Sequence, residues 1–364
     1  MGKILVAMSG GVDSSVAAVL LLEEGHEVVG ATLRTFCYSS GPAHGKTCCG
    51  LEGVQDARQV ARTLGIPHFV FDVEEAFTRD VIHDFVQEYA EGRTPNPCVR
   101  CNSFTKFRDL LHQAREMGAD KIATGHYVRI RRRGPGSPSL FRGADPAKDQ
   151  AYFLWALPRE TLPFLSFPLG DLTKSRVREL ARERGLLTAD KAESQEICFV
   201  PEGNYRQLLK ERLEPFHTAF QPGTIVDLGG EVVGTHEGYA GFTVGQRRGL
   251  PGGFPEPMFV VELRPGTREV VVGTREDLLA EGLVLTDLNW LGDPPEAGEF
   301  VDVQLRHRAK PARAKVEDVA ETLVLHLLEP QPAVTPGQSG VLFSGDRMLG
   351  GGRILRGRQA GLST

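Results

Sequence analysis

Ser9-Gly10-Gly11-Val12-Asp13-Ser14-Ser15 follows directly on a short apolar run, Lys3–Met8. Its glycines let backbone N–H groups come close to an anion, and its serines add hydroxyl donors. A helix starting at Val12 would add the positive end of its dipole, so a phosphate is the natural guest. The segment is not a Walker loop, which ends in Gly-Lys-Ser/Thr, nor is it a dinucleotide fingerprint. The plain alternative, a Gly-rich strand–helix turn, does not account for the Asp-Ser continuation.

The second reactive group is thiol. Thr94-Pro95-Asn96-Pro97 reads as a rigid turn, followed by Cys98-Val99-Arg100-Cys101 at the entrance of a helix marked by Phe104, Phe107, Leu111 and Ala114. A helix N-terminus favours the thiolate, which is both a nucleophile and a metal ligand, so Cys101 is open to either role. Cys198 lies in Ser194–Val200, which reads as extended. Alone it is equally well a small buried apolar residue. The chain has six cysteines, and its start shows no basic region leading into a long apolar core. A reducing compartment is therefore expected, with catalysis or metal binding ahead of structural disulfides. Cys37, Cys48 and Cys49 fall in a Gly/Ser-rich loop, Phe36–Gly50. They read as loop thiols, with a secondary sulfur relay as the bolder alternative, and His44 reads as a loop histidine.

The elements that must position these groups follow from periodicity. Strands are expected at Lys3–Met8, Glu27–Leu33, Pro67–Phe71 and Lys121–Thr124. Between them lie helical stripes that start at Val12, Val54 and Phe104 and stop at Gly25, Gly65 and Gly118. Thr173 reads as the N-cap of a helix to Arg184, and Tyr205–Arg212 as a short helix. This alternation predicts a doubly wound, mostly parallel α/β sheet. After about residue 215 short apolar runs separated by Gly and Pro predict a small β-rich domain and then a C-terminal β-barrel. The expected divisions are 1–205, 206–276 and 277–364. Pro135–Ser139 reads as a short flexible loop.

With 364 residues, 41% hydrophobic and 24% charged, the chain is neither disordered nor fibrous. Its longest apolar run, Val16–Leu22, is too short to cross a bilayer, so a soluble cytoplasmic enzyme is expected. Net charge is −5, which by itself argues weakly against nucleic acid. Arg306, Arg308, Lys310, Arg313 and Lys315 nevertheless cluster in 301–316, and Arg129 with Arg131–Arg133 forms a second cluster. Either is a phosphate-binding stripe or a solvated surface.

The Ser9–Ser14 segment resembles the PP-loop ATP pyrophosphatases, which adenylate an oxygen of a second substrate and release pyrophosphate. The whole chain resembles the tRNA-specific 2-thiouridylases. The likeness rests on Gly92–Asn102, Gly125-His126-Tyr127, Lys148–Leu154, Ser194–Val200, Phe242–Leu250 and Pro336–Gly340, in that order. It implies that the 2-oxygen of the wobble uridine of tRNA is replaced by sulfur. By motif position Ala7, Met8, Ser9, Gly10, Gly11, Val12, Asp13, Ser14, Leu33 and Gly125 would bind ATP, with Mg2+, and Asn96, Pro97 and Cys98 would face the target base. Cys198 would carry a persulfide, and Cys101 would be the nucleophile, with a reversible disulfide between them. His126, Lys148, Asp149, Gln150, Arg306, His307 and Gln338 would touch tRNA, which turns the stripe at 301–316 into an RNA contact. A cysteine desulfurase or sulfur relay carrier would supply sulfur, and no membrane is implied.

Many members carry Asp where this chain has Cys98, so the family's proton-transfer group is left open. Cys98, Cys101 and Cys198 could alternatively hold a [4Fe–4S] cluster. The persulfide route is preferred. Three rivals remain: an ATP-dependent synthetase acting on a small molecule, an RNA-binding or iron-sensing protein without catalysis, and a thioredoxin-like reductase. The first does not need Cys101 or Cys198. The second leaves the nucleotide loop unused. The third fails because Cys98-x-x-Cys101 does not open the first helix of a thioredoxin-type unit.

Overall fold

The structure, a computed structural model, describes residues 1–35, 51–132, 138–192, 197–200 and 204–359. The expectations for Cys37, His44, Cys48 and Cys49, for Arg133 and most of the Pro135–Ser139 loop, and for Ser194–Glu196 lie outside the described residues. No helix among the described residues is long and apolar enough to cross a membrane. The chain divides into two compact units. The first comprises Met1–Ile82, Cys98–Gly203 and Asp346–Met348, and the second His83–Pro97, Asn204–Gly345 and Leu349–Thr364.

The first unit holds a five-stranded sheet of β1 Lys3–Ala7, β2 Glu27–Arg34, β3 His68–Asp72, β4 Lys121–Ala123 and β7 Leu165–Ser166, in the order β3-β2-β1-β4-β7. Every pairing in it is parallel, as the strand–helix alternation predicts. Parallel strands need helical crossovers, and these bury both faces of the sheet. Helix α1, Val12–Glu23, is accordingly apolar nearly all round and packs into the main core with Val16, Ala17 and Ala18 fully buried. Burying one such valine or leucine is worth about 1.5–3 kcal/mol. Helices α2, Leu51–Leu64, and α7, Lys174–Glu183, flank α1. A single turn, α3 Glu74–Phe77, follows β3 and buries Phe77. Thr173 caps α7 as predicted, its side chain accepting the Arg176 N–H at 3.3 Å. An antiparallel hairpin, β5 Val128–Arg131 with β6 Ser139–Arg142, was not foreseen.

Two local expectations need correction. The helix expected around Phe104 is a composite: α5, Pro97–Arg100, runs into a π-helical stretch, Cys101–Asp109, and then into α6, Leu110–Glu116. Pro97 occupies its first position, where a missing N–H costs nothing, so Cys101 lies a turn inside the helix. Around Cys198 the chain is not extended: Val200 N–H donates to Ile197 O at 3.0 Å, closing a turn.

In the second unit β8 Gly223–Val226, β9 Val232–His236, β10 Phe259–Arg264 and β11 Glu269–Gly273 form a four-stranded sheet in the order β10-β11-β8-β9. Six further strands follow: β12 Leu279–Trp290, β13 Phe300–Gln304, β14 Ala312–Val319, β15 Leu323–Pro332, β16 Ser339–Ser344 and β17 Arg347–Arg358. Antiparallel pairing of β12 with β17 closes them into the predicted barrel. Alternation on β14 sends Ala312, Ala314 and Val316 inward and leaves Arg313 and Lys315 exposed. The short helix expected at Tyr205–Arg212 is present as α8, capped by Asn204. A helix that sequence reading missed, α4 His83–Ala90, also belongs to this unit, with Phe85, Val86 and Tyr89 buried.

Candidate active site

In an open parallel sheet, ligands bind beyond the carboxyl ends of the strands, where the strand order reverses. Here β1 leads outward to β2 and β3, while β4 lies on its other side, so the reversal falls between β1 and β4. A cavity of about 200 Å3 occupies that position. Ala7, Met8 and Ser9 leave β1 into it, and Thr124, Gly125 and His126 leave β4 into it.

The geometry of the Ser9–Ser14 turn follows from its glycines. Gly10 has φ +72°, and a Cβ there would lie 2.2 Å from Gly53 O on α2, so both conformation and space demand glycine. Gly11 is the N-cap of α1 and has no side chain to engage the first-turn N–H groups. The serines shape the turn itself: Ser14 Oγ donates to Gly11 O at 3.1 Å and accepts the Ser9 N–H at 3.2 Å, and Ser15 Oγ donates to Gly11 O at 2.9 Å. A Cβ on Gly125 would stand 2.7 Å from the backbone of Asp13 and Ser14, so the chain after β4 packs directly on this turn.

Asp13 is the one carboxylate lining the cavity among the described residues. Lys174 Nζ, on a side chain only 10% exposed, donates to both its oxygens at 2.8 Å, and Tyr127 OH donates to Oδ1 at 2.7 Å. Neither partner was singled out from the sequence. Tyr127 stood inside a quoted motif, and Lys174 follows the Thr173 cap, but nothing local marks a lysine as the partner of a carboxylate 161 residues away.

Ala7, Met8, Ser9, Asp13, Ser14, Leu33 and Gly125 line the cavity, whereas Gly10, Gly11 and Val12 shape the turn and helix start beside it. Cys101 lines it too, together with Lys106, which sequence reading missed. Cys98 is exposed and Cys198 half-buried, and neither is among the lining residues. Asn96 is half-buried and Pro97 buried.

The residues assigned to tRNA by motif position take several places. His126 and Gln150 line the cavity. His126 is 9% exposed and its Nδ1 lies 2.7 Å from Thr124 Oγ1. Burial, reinforced by the charge of Lys106, pushes its pKa down to about 3, so the ring is neutral at physiological pH. Gln150 Oε1 accepts the Tyr127 N–H at 3.0 Å. Asp149 pairs with Arg142 at 2.8 Å and accepts the Gly143 and Ala151 N–H groups at 2.9 and 3.1 Å. Lys148 is half-buried in a turn.

In the second unit Arg306 donates to Pro332 O and Ala333 O, and Gln304 donates to the carbonyls of Arg306 and His307. Gln338 Nε2 donates to Thr94 O at 2.9 Å and Pro95 O at 3.3 Å. Of the two basic clusters, Arg129 and Arg131 pair with Asp346 and Asp171, whereas Arg308, Lys310 and Lys315 are exposed.

Mg2+ commonly binds through one or two carboxylates plus substrate phosphates. Asp13 is the carboxylate of this lining, and it would have to exchange part of its bonding to Lys174 and Tyr127 to hold such an ion. No three His, Cys, Asp or Glu side chains among the described residues are placed to hold a metal, so Cys98, Cys101 and Cys198 do not form a cluster cradle in this geometry.

A parallel sheet with a Ser-Gly-Gly-Val-Asp-Ser turn at its reversal point, followed by a β module and a closed barrel, defines a PP-loop ATP-pyrophosphatase-type protein. Residues 2–202 match the model of the tRNA methyl transferase HUP domain, 210–274 that of the tRNA methyl transferase PRC-barrel domain, and 280–354 that of the aminomethyltransferase beta-barrel domain. The tRNA-specific 2-thiouridylase MnmA of Geobacter metallireducens is 50% identical, over 97% of this chain and 96% of its own. Those of Rhodospirillum centenum and Carboxydothermus hydrogenoformans are 49% and 48% identical over 97% of this chain, and over 92% and 97% of theirs. A solved 4-thiouridine synthetase in complex with RNA and bound ATP covers 58% of this chain and 50% of its own at 18% identity, with a TM-score of 0.37, too low to add to the argument. The chain belongs to the tRNA-specific 2-thiouridylase family.

Proposed function

We propose that this protein uses ATP to replace the 2-oxygen of a tRNA uridine, the wobble uridine, with sulfur. The observation that carries the reading is the cavity at the sheet's reversal point, where the phosphate loop and Cys101 share one lining. Membership of the 2-thiouridylase family supports the same reaction class.

In the first step the uridine 2-oxygen attacks the α-phosphate of ATP, a P–O bond forms, and pyrophosphate leaves. The first-turn N–H groups of α1 meet developing phosphate charge, and Lys174 and Tyr127 fix the Asp13 carboxylate at the loop. Bound Mg2+ supplies further neutralisation of phosphate charge. The uridine must leave its stack, at a cost of about a few kcal/mol, smaller in an anticodon loop whose bases are partly unpaired.

In the second step the terminal sulfur of a Cys198 persulfide attacks C2, and AMP departs with the former 2-oxygen. The Cys101 thiolate then attacks Cys198 Sγ. The S–S bond to the transferred sulfur breaks, its electron pair stays on that sulfur as 2-thiouridine, and a Cys101–Cys198 disulfide remains. An external thiol reduces the disulfide, and a persulfide-donor protein reloads Cys198. Asn96, Pro97 and Cys98 face the target base in this reading. Lys148 and the barrel residues Arg306 and His307, with their exposed basic neighbours, hold tRNA phosphates.

The experiment is tRNA-dependent AMP formation by Asp13→Asn. AMP formation is expected to be abolished, because an amide at this position neither balances Lys174 nor carries charge to the phosphate site. Normal AMP production would remove the cavity from the reaction.

A further inference from the structure

The π-helical stretch Cys101–Asp109 does something an α-helix would not. Residues five apart on an α-helix point about 140° away from each other. The i→i+5 hydrogen bonds of a π-helix widen the turn and bring residue i+5 back to the same side as residue i. Cys101 and Lys106 are five apart, and both line the cavity. Their neighbours Asn102, Ser103, Thr105 and Phe107 are buried. The wider turn thus gives the cavity wall a thiol and an ammonium together while the rest of the stretch packs inward.

The charges around the cavity make that ammonium informative. Lys106 is the one cationic side chain in the lining among the described residues, and it is half-buried. The Asp13 carboxylate is already matched by Lys174. His126 is held neutral, partly by Lys106 itself. The Lys106 ammonium is therefore the positive charge on the thiol wall of the cavity. Incomplete screening at a half-buried site makes it an attractive place for an anionic group.

We infer that Lys106 binds a phosphate of the nucleotide and holds it on the Cys101 side of the cavity. The inference rests on reading the cavity as the ATP site and adds the residue that joins the nucleotide to the thiol wall. It makes Lys106 a positioning residue for sulfur transfer, because a phosphate held there stays beside Cys101 when AMP must depart. The same chemistry could be met by a phosphate of tRNA, and the test separates the two sources.

The dissociation constant of α,β-methylene-ATP is measured without tRNA on the wild-type protein, Lys106→Met and Lys106→Arg, and that of a tRNA transcript without nucleotide. The inference expects Lys106→Met to weaken the nucleotide at least about tenfold, Lys106→Arg to restore it to within about threefold, and tRNA affinity to move less than about twofold. Rescue by Arg is the outcome a merely structural role would not give, since the π-stretch is altered in both variants. Unchanged nucleotide affinity in Lys106→Met overturns the inference, as does a loss confined to tRNA, which assigns Lys106 to RNA phosphate. A wild-type protein that binds no α,β-methylene-ATP defeats the reading of the cavity instead.

Discussion

Asp13 and His126 illustrate how single side chains are set by neighbours remote in sequence. Asp13 is fixed by Tyr127 and Lys174, and His126 is kept neutral by its burial. The second fact has a pH consequence. An unfolded histidine titrates near 6.5, whereas His126 titrates at about 3 in the fold. Below pH 6.5 the unfolded chain takes up a proton that the folded chain refuses, so stability is intact above that pH and falls toward pH 3. Urea titrations at about pH 7.5 and about pH 5 should therefore show a loss in the wild-type protein that is smaller in His126→Gln. Equal losses would place the acid sensitivity elsewhere.

Among the elements, the segment leading into Cys98 is the informative one. Thr94 N–H donates to Pro336 O at 2.8 Å, and Gln338 holds the carbonyls of Thr94 and Pro95. Gly337 lies between these contacts with φ +88°, and a Cβ there would fall 2.8 Å from Thr94 N. A salt-bridge network behind the segment joins Glu88 to Arg93 and Arg353, and Arg353 to Asp84. The barrel loop 336–338 thus fixes the backbone just before the cysteine pair. Gly337→Ala is expected to cost about 1–3 kcal/mol by forcing an unfavourable φ, and to lower thiolation more than nucleotide binding. Denaturant midpoints and α,β-methylene-ATP affinity check both halves, and a wild-type thiolation rate would refute the coupling.

The boundaries of α1 and α7 and the end of α2 were legible in the sequence because Gly stops, the Thr173 cap and apolar periodicity all act locally, whereas α2 begins at Leu51, three residues before the apolar stripe that marked it. The π-stretch was not, since Phe104, Phe107, Leu111 and Ala114 fit an α-helical stripe, and only the packing of Asn102, Thr105 and Phe107 reveals the wider turn. Nor were Lys106 and Lys174 legible, because their meaning comes from a cavity assembled by strands far apart in the chain.

The chain carries a net charge of −5, so grip on a polyanion has to come from local surfaces. In the barrel, Arg308, Lys310 and Lys315 are exposed, and Arg313 stacks over the exposed ring of Phe300 at 5.7 Å. The alternation of β14 that buries Ala312, Ala314 and Val316 is what presents Arg313 and Lys315 outward. Each phosphate contact removed should lower the logarithmic salt slope of tRNA binding by about one. The combined variant Arg308→Ala, Lys310→Ala and Lys315→Ala is therefore expected to bind tRNA more weakly and with a salt dependence shallower by about two to three, at unchanged nucleotide affinity. An unaltered salt slope would return this stripe to ordinary surface.

In the proposed reaction, adenylation at the phosphate loop and sulfur transfer from Cys198 are separable steps. A single-turnover reaction of Cys198→Ser with ATP, tRNA and a persulfide donor, scoring pyrophosphate, AMP and 2-thiouridine together, probes that separation. The variant should release pyrophosphate in a tRNA-dependent manner and form no 2-thiouridine, against matched amounts of AMP and 2-thiouridine in the wild-type protein. Wild-type yields of 2-thiouridine from Cys198→Ser would remove the persulfide from Cys198 and, with it, the two-step scheme.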